Sequence, residues 1–65
     1  MLGETMNDIL KKLGVVQRDL ETILSQDMTD REIIGHTWSV AALNKLPYKA
    51  MNILEAWALR TYGNR

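Results

Sequence analysis

Nucleophilic catalysis needs a nucleophile, a base and an orienting group within hydrogen-bonding reach of one another. The chain has one histidine and no cysteine, so His36 is the only imidazole available as a base. Thr37 is adjacent to His36 and Ser39 lies three residues from it, and neither spacing is specific to a catalytic family. We therefore expect His36 to be a surface or interface histidine and the protein not to be an enzyme.

Metal and phosphate sites are not indicated either. With one histidine and no cysteine, the sequence has no His/Cys cluster at zinc-ligand spacing. The carboxylates fall at predicted helix starts and on the polar side of the first helix, where capping and solvation account for them. The four glycines are isolated from one another, so they form no phosphate-binding loop. The sequence predicts no metal and no cofactor.

The aromatic side chains are expected to matter most for stability and binding. Aromatic residues at helical spacing usually form a core, but in so short a chain part of the core also serves as an interface. Trp, Tyr and Arg are the residue types enriched at binding hot spots. We expect Trp38 to contribute to self-association. The residues expected to form an anchor for a partner protein are Trp57, Arg60, Tyr62 and Lys49.

The first helix is predicted over residues 6–26. Thr5 and Asp8 have the spacing of a capping box just before an apolar periodic stretch. The apolar residues then alternate at intervals of three and four, the spacing of a coiled-coil seam. Because Leu10 and Leu24 widen this stripe, we interpret the helix as one member of a bundle. The residues predicted to form the self-association seam are Met6, Ile9, Leu13, Val16, Leu20 and Ile23.

A second helix is predicted over residues 30–45. Thr29 and Glu32 form another capping-box pattern at its start. Apolar residues then occupy most of the circumference, which predicts that this helix is buried on several sides.

A third helix is predicted over residues 47–62. Pro47 disfavours a helical conformation at Leu46 and suits the first turn of a new helix. Gly63 suits the position just after the helix, where a left-handed backbone conformation ends it. The short connections predict that sequential helices are antiparallel or steeply crossed.

These elements predict an all-α fold, a bundle-like three-helix protomer in a single domain of 65 residues. A chain of this length buries only about 60% of the surface that its unfolded form exposes, so its core is marginal. The residue counts exclude disulfides and a His/Cys metal site, which leaves oligomerisation as the expected supplement. The sequence therefore predicts a helical homodimer.

Charge is unevenly distributed although the net charge is zero. Residues 1–32 hold seven acids and four bases, a balance of −3, and residues 33–65 hold four bases and one acid, a balance of +3. We expect the two halves to attract each other, within a chain or across a dimer. The alternative is a weakly basic surface for nucleic acid, formed by Lys45, Lys49, Arg60 and Arg65.

The junction of the second and third helices is similar to a motif of DNA-binding regulators. LNKLP at residues 43–47, IL at 53–54 and LR at 59–60 resemble the L-x-x-L-P … I-L … L-R run of sigma-factor region 4 and related phage regulators. In those families the DNA-reading helix follows this run. The resemblance therefore implies a supporting scaffold only, and the chain is not assigned to the family.

The sequence thus predicts a small non-enzymatic regulatory protein that dimerises and binds a larger partner protein, such as an inhibitor or adaptor of the kind that phages and mobile elements encode. A small dimeric DNA- or RNA-binding regulator that uses the basic C-terminal half is the alternative. No apolar run approaches the roughly 20 residues that cross a bilayer. The N-terminus has no basic segment followed by an apolar one, so no secretory signal is indicated. We expect a cytoplasmic protein with no membrane partner.

Overall fold

The computed structural model describes residues 5–63, which form three α-helices joined by two short connections. No β-strand occurs within this range, so the predicted all-α three-helix fold is confirmed. Over the same residues, no helix has both the length and the hydropathy needed to cross a bilayer. The helices are α1 (Met6–Ile23), α2 (Asp30–Leu43) and α3 (Tyr48–Tyr62).

The starts of α1 and α2 are both fixed by capping boxes, as the sequence predicts. Thr5 Oγ1 accepts a 3.2 Å hydrogen bond from the Asp8 amide, and the Thr5 amide donates to Asp8 Oδ2 at 3.4 Å. At α2, Thr29 Oγ1 accepts from the Glu32 amide at 3.2 Å, and the Thr29 amide donates to Glu32 Oε1 at 2.9 Å. Each box satisfies amide groups that the first helical turn leaves without a partner inside the helix.

α1 ends at Ile23, before the predicted end at residue 26. Its C-cap, Leu24, has extended backbone angles of φ −79° and ψ 148°, and the Leu24 side chain is buried. The Ile23 side chain remains 38% exposed. Leu24, one residue beyond the predicted seam, therefore closes this end of the core.

α2 ends at Leu43 in a Schellman motif, before the predicted end at residue 45. Lys45 has a left-handed φ of 58°. The Lys45 amide donates to the Ala42 carbonyl at 3.0 Å, and the Leu46 amide donates to the Ala41 carbonyl at 3.1 Å. These two bonds satisfy carbonyl groups that the end of the helix leaves free, and they turn the chain towards α3.

Pro47 is the N-cap of α3, one position before the first helical residue. Its backbone is extended, with φ −69° and ψ 159°. The Pro47 carbonyl accepts hydrogen bonds from the amides of Ala50 and Met51 at 3.0 and 3.1 Å. The predicted role of Pro47 in starting the third helix is therefore confirmed, with the helix beginning at Tyr48.

The predicted left-handed stop at Gly63 is wrong. Gly63 has φ −66° and ψ 152°, an extended conformation open to any residue. Its amide donates to the Leu59 carbonyl at 2.9 Å. A Cβ atom on Gly63 would overlap this carbonyl oxygen and lie 3.1 Å from the Asp30 carboxylate. Close approach of the chain, and not backbone handedness, therefore favours glycine here.

The core lies between the three helices. Its members recur every four residues on each helix, so each helix buries a single stripe. The one buried polar residue among those described is Thr37, whose hydroxyl donates to the Ile33 carbonyl at 2.8 Å. The buried apolar residues are Val16, Leu20, Leu24, Ile33, Ala41, Leu46, Ala50, Leu54 and Ala58.

Within the protomer α2 is buried along one stripe only. Ile33, Thr37 and Ala41 form this stripe, whereas Ala42 and Leu43 are exposed, Leu43 to 80%. The sequence predicts that this helix is buried on several sides, but α1 and α3 bury only one of them.

α1 and α3 run in the same direction, and α2 runs against both. The N-terminal residues of α1 lie beside the N-terminal residues of α3, where the two helices line a common groove. At the opposite end, Gln26 Nε2 donates to the Thr61 carbonyl at 3.5 Å. α2 and α3 share the largest interface between helices, and α1 and α3 share the smallest. The pair α1 and α3 is therefore the least closely packed side of the protein.

Candidate interaction surfaces

A groove with a volume of about 390 Å³ lies between the N-terminal halves of α1 and α3. Ala50 and Trp57 are seven residues apart and face the same side of α3. Trp57 packs against the core, whereas the small side chain of Ala50 leaves the space beside α1 unfilled. Apart from one lysine, the lining is apolar. The lining residues are Met6, Ile9, Leu10, Leu13, Pro47, Lys49, Ala50 and Ile53.

The groove has exposed apolar lips. Met6 and Leu10 on α1 are 70% and 56% exposed, and Ile53 on α3 is 62% exposed. The wall residues Ile9 and Leu13 are only partly exposed and pack against the core. A small ligand in the groove would cover the walls and leave the lips in water. The lips therefore indicate contact with a broad apolar surface.

A row of surface residues continues from each lip along its helix. Both rows advance by four, three and four residues, so the members of a row share one side of the helix. We call the groove together with these two rows the groove face. The α1 row is Leu10, Gly14, Gln17 and Glu21, and the α3 row is Lys49, Ile53, Ala56 and Arg60.

The predicted self-association seam is divided between the core and the groove. Val16 and Leu20 are fully buried among the helices of the protomer. Ile9 and Leu13 pack against the same core from the wall of the groove. The centre of the seam is therefore used in folding the protomer. The seam residues that remain exposed are Met6 and Ile23.

Trp38 joins α2 to α3 within the protomer. Its Nε1–H donates to Glu55 Oε1 at 2.5 Å. Its ring meets the Tyr48 ring edge to face, with centroids 5.4 Å apart and planes at 69°. The sequence did not indicate Glu55, because a single carboxylate on an apolar helix gives no sign of a partner on another helix. The predicted contribution of Trp38 to self-association stays a prediction.

The predicted partner-binding residues occupy two places on α3. The Trp57 and Tyr62 rings meet edge to face, with centroids 5.9 Å apart and planes at 85°, and both are half-buried against the core. Arg60 is exposed in the same last turns of the helix. Lys49 is exposed at the rim of the groove, about three helical turns away. The structure therefore brings the aromatic pair together and places Lys49 with the groove.

The outer side of α3 is basic. Lys49 and Arg60 are eleven positions apart and share one exposed side of the helix. Glu55 is the only acid of α3, and its carboxylate is turned towards Trp38. Lys45 is exposed in the preceding connection, and Arg65 lies outside the described residues.

His36 and Thr37 do not form a catalytic pair. His36 is exposed, whereas the Thr37 hydroxyl is buried and donates to the Ile33 carbonyl. The two side chains therefore lie on different sides of α2. Within residues 5–63, no group of three or more His, Asp or Glu side chains could hold a metal ion.

Sequence reasoning missed most of the groove face. In the sequence, Leu10 widens the apolar stripe of α1, and Ile53 lies beside the apolar stripe of α3. This off-stripe position was the available signal, because an apolar residue beside a buried stripe widens the apolar face of a helix. Gly14 alone does not identify a contact surface, since a glycine within a helix fits a bend or a close contact equally well.

No protein-family model, curated protein or solved structure matches this chain. Its function is therefore inferred from the chemistry of its own surfaces. These are the groove face with its apolar groove, the half-buried Trp57–Tyr62 pair and the basic outer side of α3.

Proposed function

We propose that the protein is a small non-enzymatic regulatory protein that forms a homodimer and binds a larger partner protein. The observation that carries this proposal is the cluster of Met6, Leu10 and Ile53, three large apolar side chains that are each more than half exposed around one groove. Soluble monomers rarely expose contiguous apolar patches larger than a few hundred Å², and patches with polar rims commonly mark protein contacts.

The thin core supports the same proposal. Three of the nine buried apolar residues, Ala41, Ala50 and Ala58, are alanines, which bury little area. Burial stabilises a fold by about 25 cal/mol per Å² of apolar surface, so this core contributes less than one of leucine and phenylalanine would. Covering the groove face with a second copy supplies the missing apolar burial.

Sedimentation equilibrium of the purified chain tests the homodimer. We expect a species of twice the 7.4 kDa chain mass at micromolar concentrations, with dissociation on dilution. A 7.4 kDa monomer that stays folded at all accessible concentrations contradicts the proposal.

A matched pair of variants locates the apolar contact. Leu10→Asp places a charge on the lip of the groove, so we expect a helical monomer by sedimentation and circular dichroism. Leu43 is 80% exposed and lies outside the groove, so Leu43→Asp should remain dimeric. Equal behaviour of the two variants would contradict a role for the groove in self-association.

The larger partner protein is the second part of the proposal. The half-buried Trp57–Tyr62 pair and the neighbouring Arg60 are the residues that we assign to it, because aromatic and arginine side chains dominate protein interfaces. Capture from a host extract by wild type and by Arg60→Glu tests the assignment, with Arg31→Glu as the control on α2. Because Arg60 also lies on the groove face, the oligomeric state of each variant is measured in parallel, and only loss of capture by a variant that is still dimeric supports the assignment. We expect one captured protein to be lost with Arg60→Glu only. The proposed setting is the cytoplasm, with which the absence of cysteine is compatible.

Nucleic-acid binding is the second candidate function, favoured by the carboxylate-free outer side of α3. Phosphate contacts by Lys49 and Arg60 would make affinity fall steeply with salt. Anisotropy with a generic duplex at about 50 mM salt tests this, with Lys49→Glu expected to abolish binding and Lys11→Glu on α1 expected to retain it. Absence of binding at low salt would eliminate this candidate.

A further inference from the structure

We propose that the groove face is the dimer interface and that it meets the same face of a second copy about a two-fold axis parallel to the helices, with the partner's Ile53 lying on Gly14. This inference rests on the proposed function, since it specifies the surface through which the homodimer forms. It also fixes which helix of one copy meets which helix of the other: α1 packs against the partner's α3.

The two rows of the groove face lie at matching levels. α1 and α3 are parallel, and the hydrogen bond between Gln26 and Thr61 joins positions 35 apart. At the other end, the groove joins residues 6–13 to residues 47–53, a somewhat larger offset. Gly14 therefore lies near the level of Ile53, and Glu21 lies within about one helical turn of the level of Arg60.

A two-fold axis parallel to the helices keeps each residue at its own level and exchanges α1 with α3. Gly14 then faces the partner's Ile53, so the protruding isoleucine side chain packs against a position that has no side chain. Glu21 faces the partner's Arg60, and opposite charges meet at the edge of the interface. Because dimer interfaces of this symmetry are self-complementary, each contact occurs twice.

Charge disfavours the other simple arrangement. An axis perpendicular to the helices would lay α3 antiparallel to the partner's α3 and bring Lys49 opposite the partner's Arg60. Like charges across an interface oppose association. On the groove face the parallel axis instead sets Glu21, the only charged residue of the α1 row, against the partner's Arg60.

Gly14 and Gly35 are the two mid-helix glycines that contacts inside the protomer do not explain, and Gly14 is the one that lies on the groove face. It lies in the interior of α1, where glycine is the poorest helix former after proline. A Cβ atom at Gly14 would have no neighbour within 4 Å, so no contact inside the protomer requires glycine. Close approach of a helix from a second copy gives this position a physical reason.

The size and chemistry of the groove face favour a second copy over a small ligand. Binding sites for small molecules place several polar groups to orient the ligand, and here Lys49 is the only charged lining residue. The face is about 22 Å long, the length of α3, and about two helix widths across. A face of these dimensions covers about 400 Å², less than the roughly 800 Å² per partner of a standard interface, so we expect a weak dimer with a micromolar dissociation constant.

Cross-linking of single-cysteine variants tests the arrangement directly, because the chain has no native cysteine. Gly14→Cys and Ile53→Cys are mixed and oxidised, so that a disulfide between the two positions can form only between copies. Direct helix contact brings the two Cα atoms within the roughly 4.4–6.8 Å that a disulfide spans. We expect more covalent dimer on a non-reducing gel from the mixture than from either variant oxidised alone. Val15→Cys, one residue along and on another side of α1, is the control and should cross-link poorly with Ile53→Cys.

A second variant separates the interface from folding. Gly14→Leu adds a side chain in open space, so we expect helix content and thermal stability of the monomer to be retained or increased. In the dimer the added side chain overpacks the contact with the partner's Ile53, and we expect the dissociation constant to rise by about tenfold. Gly35 is likewise in open space on α2, so Gly35→Leu should leave the dissociation constant unchanged.

The outcomes distinguish this inference from the proposed function. A wild-type monomer overturns both. A wild-type dimer that neither cross-links through positions 14 and 53 nor responds to Gly14→Leu overturns this inference alone, because the interface then lies elsewhere. A further possible result is a dimer that binds duplex through Lys49 and Arg60 while its dissociation constant is unchanged by Gly14→Leu. That result overturns this inference as well, because the groove face is then open to nucleic acid.

Discussion

The indole Nε1–H of Trp38 on α2 donates a 2.5 Å hydrogen bond to the Glu55 carboxylate on α3. The bond is partly buried, and the Trp38 ring also meets the Tyr48 ring edge to face. Hydrogen bonds to charged groups contribute about 1.5–3 kcal/mol, more than bonds between neutral groups. This pair therefore ties α2 to α3, the most closely packed pair of helices among the described residues.

The first prediction concerns this bond. Glu55→Ala leaves the indole N–H without its acceptor, and we expect the free energy of unfolding to fall by about 1–3 kcal/mol. Glu55→Gln keeps an acceptor but loses the charge and should cost less. Urea titrations followed by circular dichroism measure the change in the free energy of unfolding. All variants are compared at one protein concentration, because association adds to stability.

A double-mutant cycle isolates the Trp38–Glu55 interaction. Trp38→Phe removes the donor while keeping an aromatic ring, and Trp38→Phe combined with Glu55→Ala completes the cycle. We expect the combined loss to be smaller than the sum of the single losses, because the two changes remove the same bond. Additive losses would show that the bond contributes nothing to stability.

The second prediction uses two neighbouring valines. Val16 is fully buried and Val15 is 51% exposed, so the same substitution tests burial alone. Val16→Ala should lower the free energy of unfolding by about 1.5–3 kcal/mol through lost burial and the cavity left behind. Val15→Ala should be neutral or slightly stabilising, because alanine is the better helix former. The reverse order in urea denaturation would show that the buried side of α1 is misplaced.

The features that could be predicted from the sequence are local ones. The capping boxes at Thr5 and Thr29 depend on a hydroxyl and a carboxylate three residues apart, and both form as expected. The apolar periodicity of the first helix put Val16 and Leu20 on one stripe, which was predicted as a self-association seam and which the structure buries within the protomer. Such patterns can be recognised because helix geometry alone brings the residues together.

The remaining features depend on how the helices meet. The end of α1 is set by Leu24, which turns into the core, and no local pattern distinguishes it from Ile23. Ala50 lines the groove, whereas Trp57, two turns later on the same side of α3, packs against the core, and this difference matters only once α1 lies beside α3. Periodicity identified apolar residues but did not show which would be covered by the protomer and which left at its surface.

The third prediction concerns Lys45, a non-glycine residue in the left-handed position of a Schellman motif. This position usually holds glycine, and other L-residues adopt it at a cost of about 1–2 kcal/mol. Part of the gain from glycine is lost to its greater freedom in the unfolded chain. We therefore expect Lys45→Gly to raise the free energy of unfolding by about 0.5–1 kcal/mol.

Lys11→Gly is the matched control, since Lys11 is an exposed lysine in the interior of α1. The same chemical change should there lower the free energy of unfolding by about 0.5–1 kcal/mol. Thermal melts of the two variants at equal concentration compare the signs. A loss of stability with Lys45→Gly would show that the lysine side chain contributes more than its backbone strain costs.

The fourth prediction compares two Gly→Ala changes of opposite expected sign. At Gly35, in the exposed middle of α2, a Cβ atom meets nothing within 4 Å, so alanine should stabilise the protein by about 0.5–1 kcal/mol through helix propensity. At Gly63 a Cβ atom overlaps the Leu59 carbonyl oxygen and approaches the Asp30 carboxylate. The end of α3 must then shift and weaken the bond from the Gly63 amide to Leu59, at a cost of about 0.5–1.5 kcal/mol. Urea denaturation measures both changes in the free energy of unfolding. Gly→Ala has the same effect on the unfolded chain at both positions, so the difference between the two variants comes from the folded state. A stabilising Gly63→Ala would show that the chain leaves α3 by another path.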